Sequence, residues 1–249
     1  MKKLYLLAFT RHGADLPCEA PLWVKCTTVG EYSVLWCNSP KETFSSKRDF
    51  LYAMLQWYER INELNLTILP IQAGVITFSE INLIELLNKY AKELEACFAK
   101  VDGCSEYCLI LAHKERDSAQ FPNLPDKENV QSGKEYLNRL RVRHEFLARE
   151  VARTRELVED LRSSLTPLIK DSWFEVPKTI ESGINLSFLV PNSLRGVFIH
   201  KLESLADNCD WTIDYSGPWP PFHFSSLSLK SEKYLIRESS QWVNREVIS

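Results

Sequence analysis

A long helical stripe in the second half of the chain restricts its fold more than any other feature. From position 137 to position 168, seam residues recur at alternating steps of three and four. A mean spacing of 3.5 residues keeps such a seam on one side of an α-helix and favours packing along its length. Pro167 predicts that the helix bends or ends near Thr166, because proline lacks an N–H and clashes with the preceding turn. The seam consists of Leu137, Leu140, His144, Leu147, Val151, Thr154, Val158, Leu161, Leu165 and Leu168.

The flanks of this stripe are charged and mixed in sign, which leaves two interpretations. The first is an ordinary solvated face with stabilising pairs at i,i+4 spacing. The second is a coiled-coil-like arm that is presented to a partner. His144 and Thr154 interrupt the seam, which weakens the second interpretation and leaves it open.

The first half of the chain alternates short apolar runs with amphipathic stretches. Apolar runs bounded by turn residues predict strands, and apolar residues at steps of three and four predict helices. Ser45-Ser46 and Ser79 precede the two amphipathic stretches, where a hydroxyl can accept a hydrogen bond from a first-turn N–H. A loop marked by Pro17 and Pro21 joins the first two strands. The predicted order is strand Leu4–Thr10, strand Tyr32–Cys37, a helix to about Leu64, strand Leu66–Ile71, a helix from Ser79 to about Phe98, and strand Tyr107–Ala112.

A polar stretch without periodicity, residues 115–131, predicts a linker between two domains. The first domain then covers residues 1–114 and the second covers residues 132–249. After the long helix come strands Trp173–Val176 and Ile184–Val190, a short helix that starts at Pro191, and strand Trp211–Tyr215. This α-β-β-α-β order is close to half of a ferredoxin-like fold. The tail 230–249 is expected to pack back through Tyr234, Leu235, Ile236 and Trp242, and the fold class is α+β.

Composition indicates the compartment and excludes several kinds of partner. A net charge of -3 over 249 residues gives no electrostatic footprint for nucleic acid or for an anionic membrane. No apolar run approaches the ~18–20 residues of a membrane helix, and the run Leu4–Phe9 is too short for a secretory signal. Seven cysteines at irregular spacings favour reduced thiols in the cytoplasm.

The triplet Arg11-His12-Gly13, directly after the first strand, is the strongest candidate for catalysis. It resembles the phosphate-binding triplet of histidine phosphatases, in which a neutral imidazole attacks phosphorus and a guanidinium binds the phosphoryl oxygens. That family also needs a second arginine and a second histidine in later motifs. The remaining histidines lack such contexts, and the simpler interpretation of the triplet is a loop residue pair at a strand end. We therefore expect that the protein is not an enzyme. The alternative function is a histidine phosphatase whose active site contains Arg11, His12 and Gly13.

Cys104, Cys108 and His113 have the spacing of one arm of a zinc site. No second Cys/His pair follows at ligand spacing, and Cys108 lies in an apolar run where a thiol behaves as a small hydrophobe. Nucleotide-binding and nucleophile-elbow motifs are absent from the sequence. We expect no metal, no cofactor and no small-molecule substrate.

The segment GPWPPFHF, residues 217–224, is the strongest candidate for binding. Its three prolines fix φ and remove three N–H donors, so it cannot be an interior strand and should be extended and stiff. Its aromatic residues either cap the core of the second domain or form a rigid apolar patch for a hydrophobic partner, with little ordering entropy to lose. On the second interpretation the binding residues are Trp219, Pro220, Phe222, Phe224 and, on the long helix, Tyr136.

Three segments resemble the gas vesicle GvpL/GvpF family. GPWPPF at 217–222 is similar to its "GPWPPY/F" signature, and LPIQAGV at 69–75 is similar to an "LPvrFG" stretch, except at Gln72 and Ala73. SGKEYL at 132–137 is similar to "sGrxYL" at the start of the long helix, with Lys134 in place of arginine. The three matches keep the family's order and span nearly the whole chain.

This resemblance implies a non-catalytic accessory or minor structural protein in the assembly of gas vesicles, which are protein-walled, gas-filled flotation organelles. It implies as partners the very hydrophobic GvpA-like shell protein and other gas vesicle accessory proteins, with a location at the gas vesicle in the cytoplasm. It also implies a ferredoxin-like C-terminal domain. An exposed edge strand of either domain could pair with a strand of a partner.

Overall fold

The computed structural model describes residues 3–11, 21–63, 66–71, 75–77, 79–113, 133–174, 184–207, 211–225 and 236–237. The chain forms two compact units, of which the first contains Met1–Glu106 and Gly217–Ser249 and the second contains Tyr107–Ser216. The strands are β1 (Leu4–Arg11), β2 (Lys25–Val29), β3 (Tyr32–Cys37), β4 (Ile68–Pro70), β5 (Val75–Thr77), β6 (Cys104–His113), β7 (Asp171–Phe174), β8 (Ile184–Pro191), β9 (Trp211–Trp219) and β10 (Ile236–Arg237). The α-helices are α1 (Lys47–Glu63), α2 (Glu80–Val101), α3 (Gly133–Leu165) and α4 (Arg195–Asp207).

The first unit is built on a sheet with the order β10-β5-β1-β3-β2, in which β4 also pairs with β1. Leu35 on β3 belongs to the apolar cluster that contains the buried face of α1, whereas Tyr32 on the same strand stacks on Phe98 of α2 at 5.9 Å. Successive side chains of a strand point to opposite faces. The two helices therefore cover opposite faces of the sheet.

Both predicted serine caps are confirmed. The Ser46 hydroxyl accepts a hydrogen bond from the backbone N–H of Asp49 at 3.1 Å, and Ser79 accepts one from Asn82 at 3.3 Å. Each cap satisfies a first-turn donor that has no partner within its own helix.

The predicted loop between the first two strands is wrong over residues 25–29, where the structure places β2. This strand pairs antiparallel with β3, with Val29 opposite Tyr32 and Lys25 opposite Trp36. A two-residue turn joins them, and Gly30 adopts a φ of 59° that a side chain would disfavour. The three-residue strand β5 was also not predicted.

The second unit contains the elements β6-α3-β7-β8-α4-β9, and its four-stranded sheet has the order β7-β8-β6-β9. Its core joins residues of the sheet and of both helices, such as Leu109 on β6, Leu161 on α3, Phe188 on β8 and Phe198 on α4. The α+β fold class is thus observed, with two separate sheets. None of the described helices has the length and apolar character that crossing a membrane requires.

The two units differ from the predicted domains 1–114 and 132–249. Most of β6, from Tyr107 onward, belongs to the second unit, because its sheet neighbours are β8 and β9. Residues 217–249 belong to the first unit, in which Ile236 of the tail pairs with Ile76 of β5. The tail residues Tyr234, Leu235 and Trp242 and the predicted linker 115–131 lie outside the described residues.

The long helix forms as predicted and ends at Leu165, directly before a short 3-10 turn that contains Pro167. The burial of its seam changes along its length. Val158, Leu161 and Leu165 lie in the core of the second unit, whereas Leu137 and His144 are exposed. Among the described seam residues, burial is therefore most complete toward the C-terminal end of the helix.

Candidate partner-binding site

The proline-rich segment forms a tight hook, residues 217–225, that belongs to the first unit. Backbone N–H groups of Phe224 and Ser225 both donate to the carbonyl of Pro221, at 3.2 Å and 2.9 Å. Pro220 and Pro221 are buried, and Trp219 is half-buried. The predicted stiff segment is thus present as the end of β9 followed by a turn.

Two aromatic side chains of the hook have opposite environments. Phe224 is buried, and the ammonium of Lys100 lies 5.5 Å from its ring centroid. Phe222 is 43% exposed, and its ring centroid lies 5.5 Å from that of Tyr58 in a T-shaped contact. Phe224 therefore anchors the hook, while Phe222 presents apolar surface to solvent.

A buried carboxylate anchors the hook from β6. Glu106 is 0% exposed, and one of its oxygens accepts the backbone N–H of His223 at 2.9 Å. Its second oxygen contacts Nδ1 of the same residue. Hydrogen bonds to a carboxylate are stronger than neutral ones, so this pair fixes the backbone immediately after Phe222. Glu106 was not among the predicted site residues, because it lies directly before the predicted strand Tyr107–Ala112, whereas β6 begins at Cys104.

The predicted binding residues thus fall into two groups. Pro220 and Phe224 are buried anchors, and Trp219 and Phe222 keep accessible surface. Tyr136 is 37% exposed on the first turn of α3, in the second unit. Their role in binding stays a prediction.

The candidate phosphatase residue Arg11 contacts carboxylates. Its guanidinium lies 3.3 Å from Glu95 and 3.2 Å from Asp102, and it also packs over the ring of Phe98. The Tyr32 hydroxyl donates a 2.5 Å hydrogen bond to one of these carboxylates, Glu95. Burial raises the pKa of Tyr32 to about 12, and this hydrogen bond is the second cause of the shift. A guanidinium held by two carboxylates is a poor phosphate binder, because an incoming phosphate must displace them. His12 and Gly13 lie outside the described residues.

The candidate zinc cysteines make contacts within their own units. Cys104 is buried, and its thiol donates to the carbonyl of Asp102 at 3.5 Å. Cys108 lies 3.5 Å from the hydroxyl of Ser187. The side chain of His113 is outside the described part of the structure. No disulfide joins the five cysteines that the structure describes.

We predict that exposed cysteines react with an alkylating reagent in the native protein and that buried cysteines do not. Cys26 is exposed, whereas burial raises the pKa of the Cys37 thiol to about 12. Because the thiolate is the nucleophile, iodoacetamide at about pH 8 should modify Cys26 in the native protein and Cys37 only after denaturation. Peptide mapping by mass spectrometry measures both sites in one sample. Equal native labelling of the two would contradict the burial of β3.

Comparison with known proteins gives a consistent picture. A family model described as gas vesicle synthesis protein GvpL/GvpF matches residues 5–226. The fold is similar to the crystal structure of gas vesicle protein GvpF from Microcystis aeruginosa, with a TM-score of 0.69 and 18% identity over 90% of this chain and 99% of that one. It is also similar to GvpF from Anabaena sp. PCC7120, with a TM-score of 0.69 and 19% identity over 94% of this chain and 100% of that one. No curated protein sequence matches this chain.

Proposed function

Because the chain belongs to the GvpL/GvpF family of gas vesicle synthesis proteins, we propose that it is an accessory or minor structural protein of gas vesicle assembly. Its partners are the hydrophobic GvpA-like shell protein and other accessory proteins, and it acts at the gas vesicle in the cytoplasm. It works by binding, without catalysis, cofactor or small-molecule substrate.

The observation that carries this proposal is the exposed ring of Phe222 on an anchored hook. A large apolar side chain that stays in solvent loses water contact when a partner covers it, which is favourable. Buried Pro221 and Phe224 and the Glu106–His223 contact hold the backbone on both sides of the ring. Little conformational entropy is therefore left to lose on binding.

We also propose that the second unit is a ferredoxin-like domain with α3 as its first helix. The support is its β-α-β-β-α-β element order together with the strand order β7-β8-β6-β9. In that arrangement the second and third strands are adjacent, and the first strand lies between the third and the fourth.

The decisive variant is Phe222→Ser, tested for capture of a co-expressed GvpA-like shell protein. We expect at least about a tenfold loss of binding, as is typical for an aromatic anchor. The matched control is Phe174→Ser on β7, because Phe174 has nearly the same exposure, 41% against 43%. This control should bind like the original protein.

Thermal unfolding of both variants checks whether the hook change leaves the fold intact. Normal capture by a folded Phe222→Ser protein would contradict the assignment of the hook. Equal losses in the two variants would point to general surface stickiness instead. Half-buried Trp219 is a less sharp test, because its removal affects packing and binding together.

A further inference from the structure

The second unit contains an apolar cavity with a volume of about 130 Å³. Two of the side chains that line it belong to the buried core of the unit, and the other apolar ones are partly buried and pack against that core. The cavity therefore continues the core toward the surface. Its apolar lining consists of Leu111 on β6, Leu157 and Leu161 on α3, Leu205 on α4, and Trp211 and Ile213 on β9.

The open side of the cavity carries a negative charge. Asp160 and Ser164 also line the cavity, and both are exposed, so they mark the side that faces solvent. They are four residues apart on α3, which places them next to each other on the helix surface. The neighbouring pair Arg162–Glu159 is closed at 3.8 Å, and within the described residues no ion pair involves Asp160. Its carboxylate is thus available to a cation at the entrance.

The size of the cavity restricts what can occupy it. An apolar cavity of roughly 150 Å³ accepts a molecule as small as benzene, whereas pockets for drug-sized ligands measure about 300–1,000 Å³. A volume of about 130 Å³ therefore has room for one apolar side chain and is too small for a larger ligand. Water is a poor occupant, because it needs two to four polar partners and an apolar cavity offers few.

From this size and this charge we propose that the cavity, which we call the anchor pocket, binds one leucine side chain of a partner protein. A lysine or arginine next to that leucine pairs with Asp160. The leucine gains by leaving water for an apolar lining, as is typical of the side chains that anchor an interface. The charge pair contributes less energy and favours partners with a basic residue beside the anchor. This inference does not depend on what the hook binds.

The probes are three synthetic peptide amides of three residues. The first has a central leucine between two lysines, the second has alanine in the centre, and the third has glutamates on both sides of the leucine. NMR titration of the full chain follows the indole N–H signal of Trp211, which is assigned by its loss in Trp211→Phe. The first peptide should bind at least about tenfold more tightly than the alanine peptide. It should bind about threefold more tightly than the glutamate peptide, and this second difference should shrink as salt is added.

Two pairs of variants locate the binding in the anchor pocket. Leu205→Phe fills the cavity and should remove binding of the leucine peptides, whereas Val197→Phe enlarges an exposed side chain of the same helix and should not. Asp160→Asn should abolish the preference for lysine over glutamate. Glu85→Gln changes the net charge equally at an exposed position of the first unit and should keep that preference. Thermal unfolding checks that each variant is folded.

Several results would overturn the proposal. One is equal affinity for the leucine and alanine peptides, and another is the absence of any shift in the Trp211 signal. A concentration-dependent dimer in sedimentation velocity that Leu205→Phe abolishes would show that a second copy of this chain occupies the pocket. A rise in the unfolding temperature with benzene, while the leucine peptides fail to bind, would show that the cavity admits only small molecules.

Discussion

Replacement of Phe198 by alanine is expected to lower the free energy of unfolding of the second unit by about 3–5 kcal/mol. Phe198 is completely buried, and its ring lies 5.2 Å from that of Tyr107 and 6.0 Å from that of Phe188. Truncation removes both aromatic contacts and leaves a cavity that these neighbours can fill only in part. Denaturant unfolding, followed by circular dichroism, measures the loss.

The neighbouring residue provides the control for this prediction. Val197 is exposed on the same turn of α4, so Val197→Ala should change the free energy of unfolding by no more than about 0.5 kcal/mol. If the two variants lost the same stability, the helix would face its unit differently from the structure. A small loss for Phe198→Ala alone would mean that the core closes around the missing ring.

Elements with a strong local pattern could be predicted from the sequence. The strand Tyr32–Cys37 was predicted with its observed bounds, and Ser46 and Ser79 cap their helices as expected. Apolar periodicity and capping act between residues close in the chain, so one sequence displays them. The strand Lys25–Val29 shows no such pattern, because it lies at the edge of its sheet and most of its residues face solvent.

The hook illustrates the same limit at the candidate site. Proline content predicted its stiffness, and its position after a strand was also predicted. The burial of Phe224 and the exposure of Phe222 depend on Lys100, Tyr58 and Glu106, which lie more than a hundred residues away in the chain. Such contacts between distant residues leave no mark in the local pattern.

The two compact units divide the chain differently from the predicted domains for a related reason. The strand β6 precedes the polar stretch 115–131, so adjacency in sequence assigned it to the first domain. In the structure it is an interior strand between β8 and β9. An apolar strand such as β6 could be an interior strand of either sheet. Its composition therefore does not show which sheet it joins, because that depends on the strands that pair with it.

A comparison of two fragments tests whether β6 belongs to the second unit. The fragment 132–249, which follows the predicted boundary, should fail to show a cooperative unfolding transition, whereas the fragment 104–216 should show one. Only the second contains β6, which contributes Tyr107, Leu109 and Leu111 to the core. Losing one large buried side chain costs about 2–5 kcal/mol, and a whole domain is stable by only about 5–15 kcal/mol. Three such losses, together with an opened sheet, therefore exceed what the unit can tolerate. Thermal scans by circular dichroism compare the two fragments, and a sharp transition in 132–249 alone would restore the boundary at residue 132.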